Sequence, residues 1–136
     1  MLCAIDTNLL IYFFDSQSRL NHIVVDMLKT AEMGEIKITA SDFIFAEMLA
    51  YSKLSDKVAI DIENRLKLLP INYRRADQET FIQAAALYRR HSSLKLNDAI
   101  HLAAAVEAKA DRFITNDRGI IGLKKIDGVS IVPLDA

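Results

Sequence analysis

The amino-acid sequence predicts an α/β fold: residues 1–136 form one domain, a mainly parallel sheet of about five strands flanked by helices. Three observations lead there. Short apolar runs rich in β-branched residues alternate with longer amphipathic stretches, the pattern of strand–helix–strand crossovers. No repeat, low-complexity tract or linker divides the chain, and four glycines and two prolines leave little room for long loops. A chain of 136 residues buries roughly two-thirds of the surface its unfolded form exposes, enough for one core.

The elements follow in order. "LCAI" (2–5) is a short buried strand, and a helix runs from about Asn8 to Phe14. Residues 19–33 place Leu20, Ile23, Val24, Met27, Leu28 and Ala31 at helical spacing, with Gly34 as a stop. "IKITA" (36–40) reads as a strand, after which Ser41 is positioned to cap a helix running through Leu54. Val58, Ile62, Leu66 and Leu69 mark a further amphipathic helix ended by Pro70, and "INY" (71–73) is the third strand. Residues 77–91 form a helix with Phe81, Ala84, Ala85 and Tyr88 on one face. "NDAIHLAAAVEAKA" is helical, with Ala99, Leu102, Ala103, Val106 and Ala110 in register. "RFIT" (112–115) and "VSIVPL" (129–134) complete the strands.

A net charge of −1 argues against a broad polyanion-binding surface. The charge is uneven, though: residues 74–125 carry ten Lys and Arg against six Asp and Glu, and residues 1–73 carry seven against ten. A polyanion would therefore meet the second half. Cys3 has no partner for a disulfide and lies in an apolar strand, so it reads as a core thiol. The first residues show no basic segment followed by a small-residue cleavage pattern, and "LLIYFF" is too short to span a bilayer. The expected location is the cytoplasm, without membrane contact.

Four acids break the apolar pattern. Asp6 ends a buried strand in "CAIDTNLL", where an ionised carboxylate costs several kcal/mol unless something pairs with it. Glu47 interrupts "FIFAEMLAY", with Phe43, Ile44, Ala50 and Tyr51 as its helical neighbours. Asp98 lies in the first turn of its helix, and Asp117 follows a strand directly in "RFITNDRG". Each has a plain explanation: a helix cap, a glutamate snorkelling to water, a favourable N-terminal charge, a turn residue. Together they have another. Strand, then Asp-Thr-Asn, is mirrored by strand, then Thr-Asn-Asp, so the two ends converge if those strands are neighbours. Carboxylates sharing a pocket repel one another unless a hard cation sits among them. All-oxygen donors favour Mg²⁺ or Mn²⁺ over Zn²⁺, and two such ions are suited to phosphodiester hydrolysis.

"AIDTNLLIY", "SDFIFAEML", "LNDAIHLAAA" and "FITNDRG", in this order and nearly end to end, resemble the PIN domain, in particular the small VapC-type toxins of toxin–antitoxin pairs. The resemblance implies a five-stranded parallel sheet and a Mg²⁺- or Mn²⁺-dependent endoribonuclease. It implies that Asp6, Glu47, Asp98 and Asp117 are the catalytic, metal-binding quartet. Asn8, Thr115 and Asn116 fall at positions that hydrogen-bond those ligands or the substrate. Cleavage in the family leaves a 5′-phosphate and a 3′-hydroxyl, and the implied partners are RNA, a cognate antitoxin and a second copy of the chain. Where some relatives carry a fifth acid, Thr115 and Asn116 flank Asp117, and Ile120 stands where an aromatic is frequent.

His101, three residues after Asp98, reads as a packing or hydrogen-bonding histidine with no catalytic role, and His22 and His91 as surface residues. Arg89, Arg90, Lys95 and Arg118 are candidate phosphate contacts. The alternative function is a catalytically silent PIN module that binds RNA or protein. A phosphatase using Asp6 as nucleophile fits poorly, because Asn8 replaces the second acid such enzymes want.

Overall fold

A computed structural model describes residues 1–50 and 53–135. Strands β1 (Leu2–Ile5), β2 (Lys37–Ser41), β3 (Asn72–Arg74), β4 (Arg112–Thr115), β5 (Lys125–Ile126) and β6 (Val129–Pro133) form one sheet. Helices α1 (Thr7–Phe14) and α2 (Asn21–Glu32) join β1 to β2, and α3 (Phe43–Leu49) and α4 (Asp56–Leu68) join β2 to β3. Helices α5 (Gln78–Arg90) and α6 (Leu96–Glu107) lead to β4, and α7 (Arg118–Ile121) follows it. The sheet order is β3-β2-β1-β4-β6-β5, all parallel except the β5–β6 pair.

That order places the site. The chain winds outward from β1 through β2 to β3, then crosses back to lay β4 on the other side of β1. The carboxyl ends of β1 and β4 therefore flank a topological switch point, where an open α/β sheet leaves a crevice for ligands. The register pairs Ile5 with Ile114, which brings the next residues, Asp6 and Thr115, side by side. The expected neighbouring strand ends thus do converge.

Both faces of the sheet are covered, which is why β1 reads as an unbroken apolar run. Ile5, Ile38 and Ala40 pack with Leu9, Val24, Ile44 and Leu66 from α1–α4. Ala4, Phe113 and Ile131 pack with Ala84, Leu87, Leu102 and Ala103 from α5 and α6. Residues 99–105 of α6 are all buried, and four of them are alanines, small enough for the helix to lie close to the sheet. Cys3 is buried, as a core thiol should be.

Several expectations are corrected. The helix after β2 begins at Phe43 and ends at Leu49, short of Leu54. Ser41 is the last residue of β2, its Oγ accepting from Phe43 N at 3.1 Å. The next helix has its own start: Ser55, with extended backbone, caps α4 through a bond from Val58 N at 3.2 Å. Tyr51 and Ser52 lie outside the described residues. On α5 the inward stripe is Thr80, Ala84 and Leu87, whereas Phe81 and Tyr88 are 45% and 48% exposed. On that inward stripe Thr80 Oγ1 donates to Glu107 Oε2 on α6 at 3.1 Å.

The short elements α7 and β5 add to the expected set. A hairpin turns β5 into β6 through Asp127 (φ 44°) and Gly128 (φ 89°), the two left-handed residues a type I′ turn requires.

Candidate active site

The residue after β1 is Asp6, 4% exposed, which serves as N-cap of α1. Its Oδ1 accepts from Asn8 N at 2.8 Å and its Oδ2 accepts from the Thr115 hydroxyl. Thr115, fully buried at the end of β4, also accepts from Asp117 N at 3.0 Å. One hydroxyl thus ties the two strand ends together. Burial pushes the Asp6 carboxyl up to about 6, against the Thr115 and Asn8 hydrogen bonds, and the Asp98 charge pushes the same way.

Asp117 caps α7, its Oδ1 accepting from Gly119 N at 2.8 Å. Asp98, in the first turn of α6, accepts from Lys95 N at 3.3 Å, so it serves that helix end as well as facing the site. Its pKa is raised by burial and by the charge of Asp117, against the bond from Lys95. Asp6 senses Asp98, and Asp98 senses Asp117, as a chain of repelling carboxylates.

Glu47, on α3, faces Asp6 across an open cleft of about 230 Å³ lined by Asp6, Thr7, Asn8, Glu47, Asn97, Asp98 and His101. Its Oε1 accepts from the Thr7 hydroxyl at 2.6 Å and contacts His101 Nε2, while its Oε2 accepts from Asn97 Nδ2 at 2.9 Å. Burial, the largest influence, would raise its pKa, but the bonds from His101, Thr7 and Asn97, helped by the His101 charge, hold it down at about 2.

Asp6, Glu47 and Asp98 therefore share the cleft, with Asn8 on its wall and Thr115 supporting Asp6 from behind. Asp117 does not line that cleft and is linked to it through Asp98 and Thr115. Asn116 does not line the cleft either; its Oδ1 accepts from Leu134 N at 3.2 Å and fastens the chain beyond β6. The residues that sequence reasoning missed are Thr7, Asn97 and the connecting role of His101. Asn97 and His101 are one helical turn apart on α6, so an i, i+4 polar pair on an apolar helix was the available signal.

Among the described residues, the salt bridges are Arg19–Asp135, Lys67–Glu63 and His101–Glu47, so none pairs Asp6, Asp98 or Asp117 with a Lys or Arg. No three His, Cys, Asp or Glu side chains among those residues meet closely enough to hold one ion with their rotamers as they stand. The donor chemistry nevertheless fits a hard divalent cation, because uncompensated carboxylates are present and the one imidazole nitrogen nearby is committed to Glu47.

The model of the family described as the PIN domain matches residues 3–128. A comparison with curated proteins returns no match. Among solved structures, the chain is similar to one in a toxin–antitoxin complex from Klebsiella pneumoniae, at 27% identity and TM-score 0.62 over 93% of this chain and 94% of that one. It shares its fold with a chain of VapBC2 from Rickettsia felis, bound to a DNA fragment from its promoter, at 16% identity and TM-score 0.69, with 98% of each chain covered. VapBC-1 from nontypeable Haemophilus influenzae is similar at 16% identity and TM-score 0.67, each chain fully covered. With its acidic cleft at the β1–β4 switch point and a family match over almost its whole length, the chain belongs to the PIN domain family.

Proposed function

We propose that this protein is a Mg²⁺- or Mn²⁺-dependent endoribonuclease, the toxin of a toxin–antitoxin pair. The observation that carries the reading is a set of three aspartates in no salt bridge with Lys or Arg, Asp6 and Asp117 after β1 and β4 and Asp98 at the start of α6, in a PIN fold. A buried carboxylate with a raised pKa and no salt bridge to Lys or Arg is a functional-site candidate, and a hard cation would neutralise it.

In this reading Asp6, Asp98 and Asp117, with Glu47 across the cleft, hold the metal. A bound divalent ion supplies activation of water and neutralisation of charge on the scissile phosphate. Thr115 and the Asn8 amide fix the Asp6 carboxylate, so little reorganisation is needed when the site is filled. Asn8 and Asn97 present carboxamides at the cleft wall that suit contacts to phosphate or ribose oxygens. No side-chain nucleophile is required, and in-line hydrolysis leaves a 5′-phosphate and a 3′-hydroxyl.

The similar toxin–antitoxin complexes support an antitoxin protein as partner, and a homodimer in the cytoplasm completes the proposal. No helix among the described residues is long and apolar enough to cross a membrane. A second reading, a silent PIN module binding RNA or protein, draws support from Glu47, whose carboxylate is already occupied by three donors.

One assay separates the two. A mixed pool of structured and single-stranded RNAs is incubated with the protein in Mg²⁺ or Mn²⁺, with chelator, and with Asp98→Asn in parallel. The nuclease reading expects metal-dependent cuts that vanish in both controls. Metal binding without any cut selects the silent module.

A further inference from the structure

His101 is 3% exposed, wedged against Phe43 with ring centroids 5.8 Å apart, and it separates the cleft from an internal void. The void is lined by Ala4, Ile5, Thr39, Ala40, Ser41 and two alanines of α6, and it is too small for a water molecule. The ring's Nδ1 has no hydrogen-bond partner, so burying it carries a desolvation penalty that an apolar side chain here would avoid. What the imidazole gains lies on its other side. Nε2 meets Glu47 Oε1 and sits 3.1 Å from Thr7 Oγ1. Thr7 commits its proton to the same Glu47 oxygen, so Nε2 faces only lone pairs and must itself carry the hydrogen.

A carboxylate offers about four acceptor positions, two on each oxygen. Thr7 and His101 fill both on Oε1, and Asn97 takes one on Oε2. We propose that His101 is a positioning residue that, with Thr7, saturates Glu47 Oε1 and so restricts Glu47 to a single contact through Oε2 toward a divalent ion or its hydration shell. Chelation by both oxygens is closed off, and α3 is pinned to α6 at the cleft mouth. The inference rests on the metal-dependent reading of this site. It goes further in assigning Glu47's mode of contact and the residue that sets it.

The experiment is a double-mutant cycle read by Mn²⁺ affinity, with free Mn²⁺ counted by electron paramagnetic resonance. His101→Leu and Glu47→Gln are each expected to weaken Mn²⁺ binding about tenfold or more, within the range for partners that orient metal ligands. The double variant should be no worse than either single one. His101→Gln, whose amide N–H can replace the Nε2 donor, should return affinity to within about threefold of wild type. Histidine nitrogen NMR of the metal-free wild-type protein should show Nε2 carrying a hydrogen. Wild-type affinity in His101→Leu, strictly additive losses, or an Nε2 that carries no hydrogen would each overturn the proposal. The reading it rests on fails separately: Mn²⁺ binding with the expected coupling, but no RNA cleaved, refutes the nuclease and leaves the role of His101 standing.

Discussion

Asp6 and Glu47 face one another across the same cleft, and both interrupt apolar segments, yet they are held in opposite ways. Burial disfavours the ionised form of each. Asp6 has two donors and a carboxylate neighbour, and it is pushed up to about 6. Glu47 has three donors, one of them His101, and it is held near 2. The β1–β4 side is thus a charged wall awaiting compensation, whereas the α3–α6 side is a carboxylate already satisfied. Asp6 is also the more deeply buried of the two, so burial and the number of donors together set the opposite directions.

The sharpest test of that contrast is activity. Asp98→Asn keeps an oxygen for the Lys95 N–H but removes the charge, so α6 should remain capped. Metal-dependent RNA cleavage is expected to fall on the order of a thousandfold, about 4 kcal/mol of barrier. Single-turnover cleavage beside a thermal melt checks both halves. A melt shifted strongly downward would mean that Asp98 is a structural cap first.

The two walls should also respond oppositely to pH. A folded-state pKa of about 6 for Asp6, against 3.8 for an ordinary aspartate, means that the native state binds its proton more tightly. Stability from this group is full below pH 4 and is lost as pH rises through 6, by roughly 3 kcal/mol at most. For Glu47 the sign reverses: its contribution is present above about pH 4.5 and disappears as pH falls toward 2. Urea melts in chelator from pH 3 to 7 should show the upper decline, which Asp6→Asn flattens and added Mg²⁺ offsets. A profile indifferent to Asp6→Asn would refute the charged-wall description.

A smaller effect is expected from Thr115→Val. The hydroxyl donates to Asp6 and accepts from Asp117 N, and valine leaves both without it at a buried position. A loss of about 1–3 kcal/mol follows for unsatisfied buried polar groups, measured by denaturant unfolding. The same variant should leave the ring nitrogen signals of His101 unchanged, since Thr115 belongs to the other wall.

Much of the charged wall was legible in the sequence, because it depends on local order: strand, acid, carboxamide, twice over. The parallel sheet was legible for the same reason, from short apolar runs alternating with amphipathic ones. The satisfied wall was not. Glu47 and His101 are 54 residues apart, and their contact depends on how α6 lies against α3, which no local pattern encodes. The carboxamide oxygen of Asn116 accepts from Leu134 N, 18 residues on, a contact that no local pattern encodes. Four residues of α7 and two of β5 are too short for any periodicity, although Asp127-Gly128 was a usable hairpin signal.

Gly119 probes how the charged wall keeps its spacing. A Cβ there would lie 2.7 Å from the Ser93 carbonyl oxygen and 3.2 Å from Asp117 Oδ1, while Ser93 Oγ donates to Gly119 O at 2.7 Å. The loop leading into α6 therefore closes against α7 only because residue 119 has no side chain. Gly119→Ala must push backbone from backbone, which costs about 1–3 kcal/mol when a packed site is overfilled, with the low end expected on an exposed loop. The contact ties the loop that leads to Asp98 to the helix that Asp117 caps, so Mn²⁺ affinity should drop a few-fold, while Glu47 and His101 stay as they were. Isothermal titration with Mn²⁺ and the His101 nitrogen spectrum together decide it. Unchanged affinity would mean that the Asp98–Asp117 separation is set by β4 and Thr115 alone, and a shifted His101 signal would mean that the two walls are one mechanical unit.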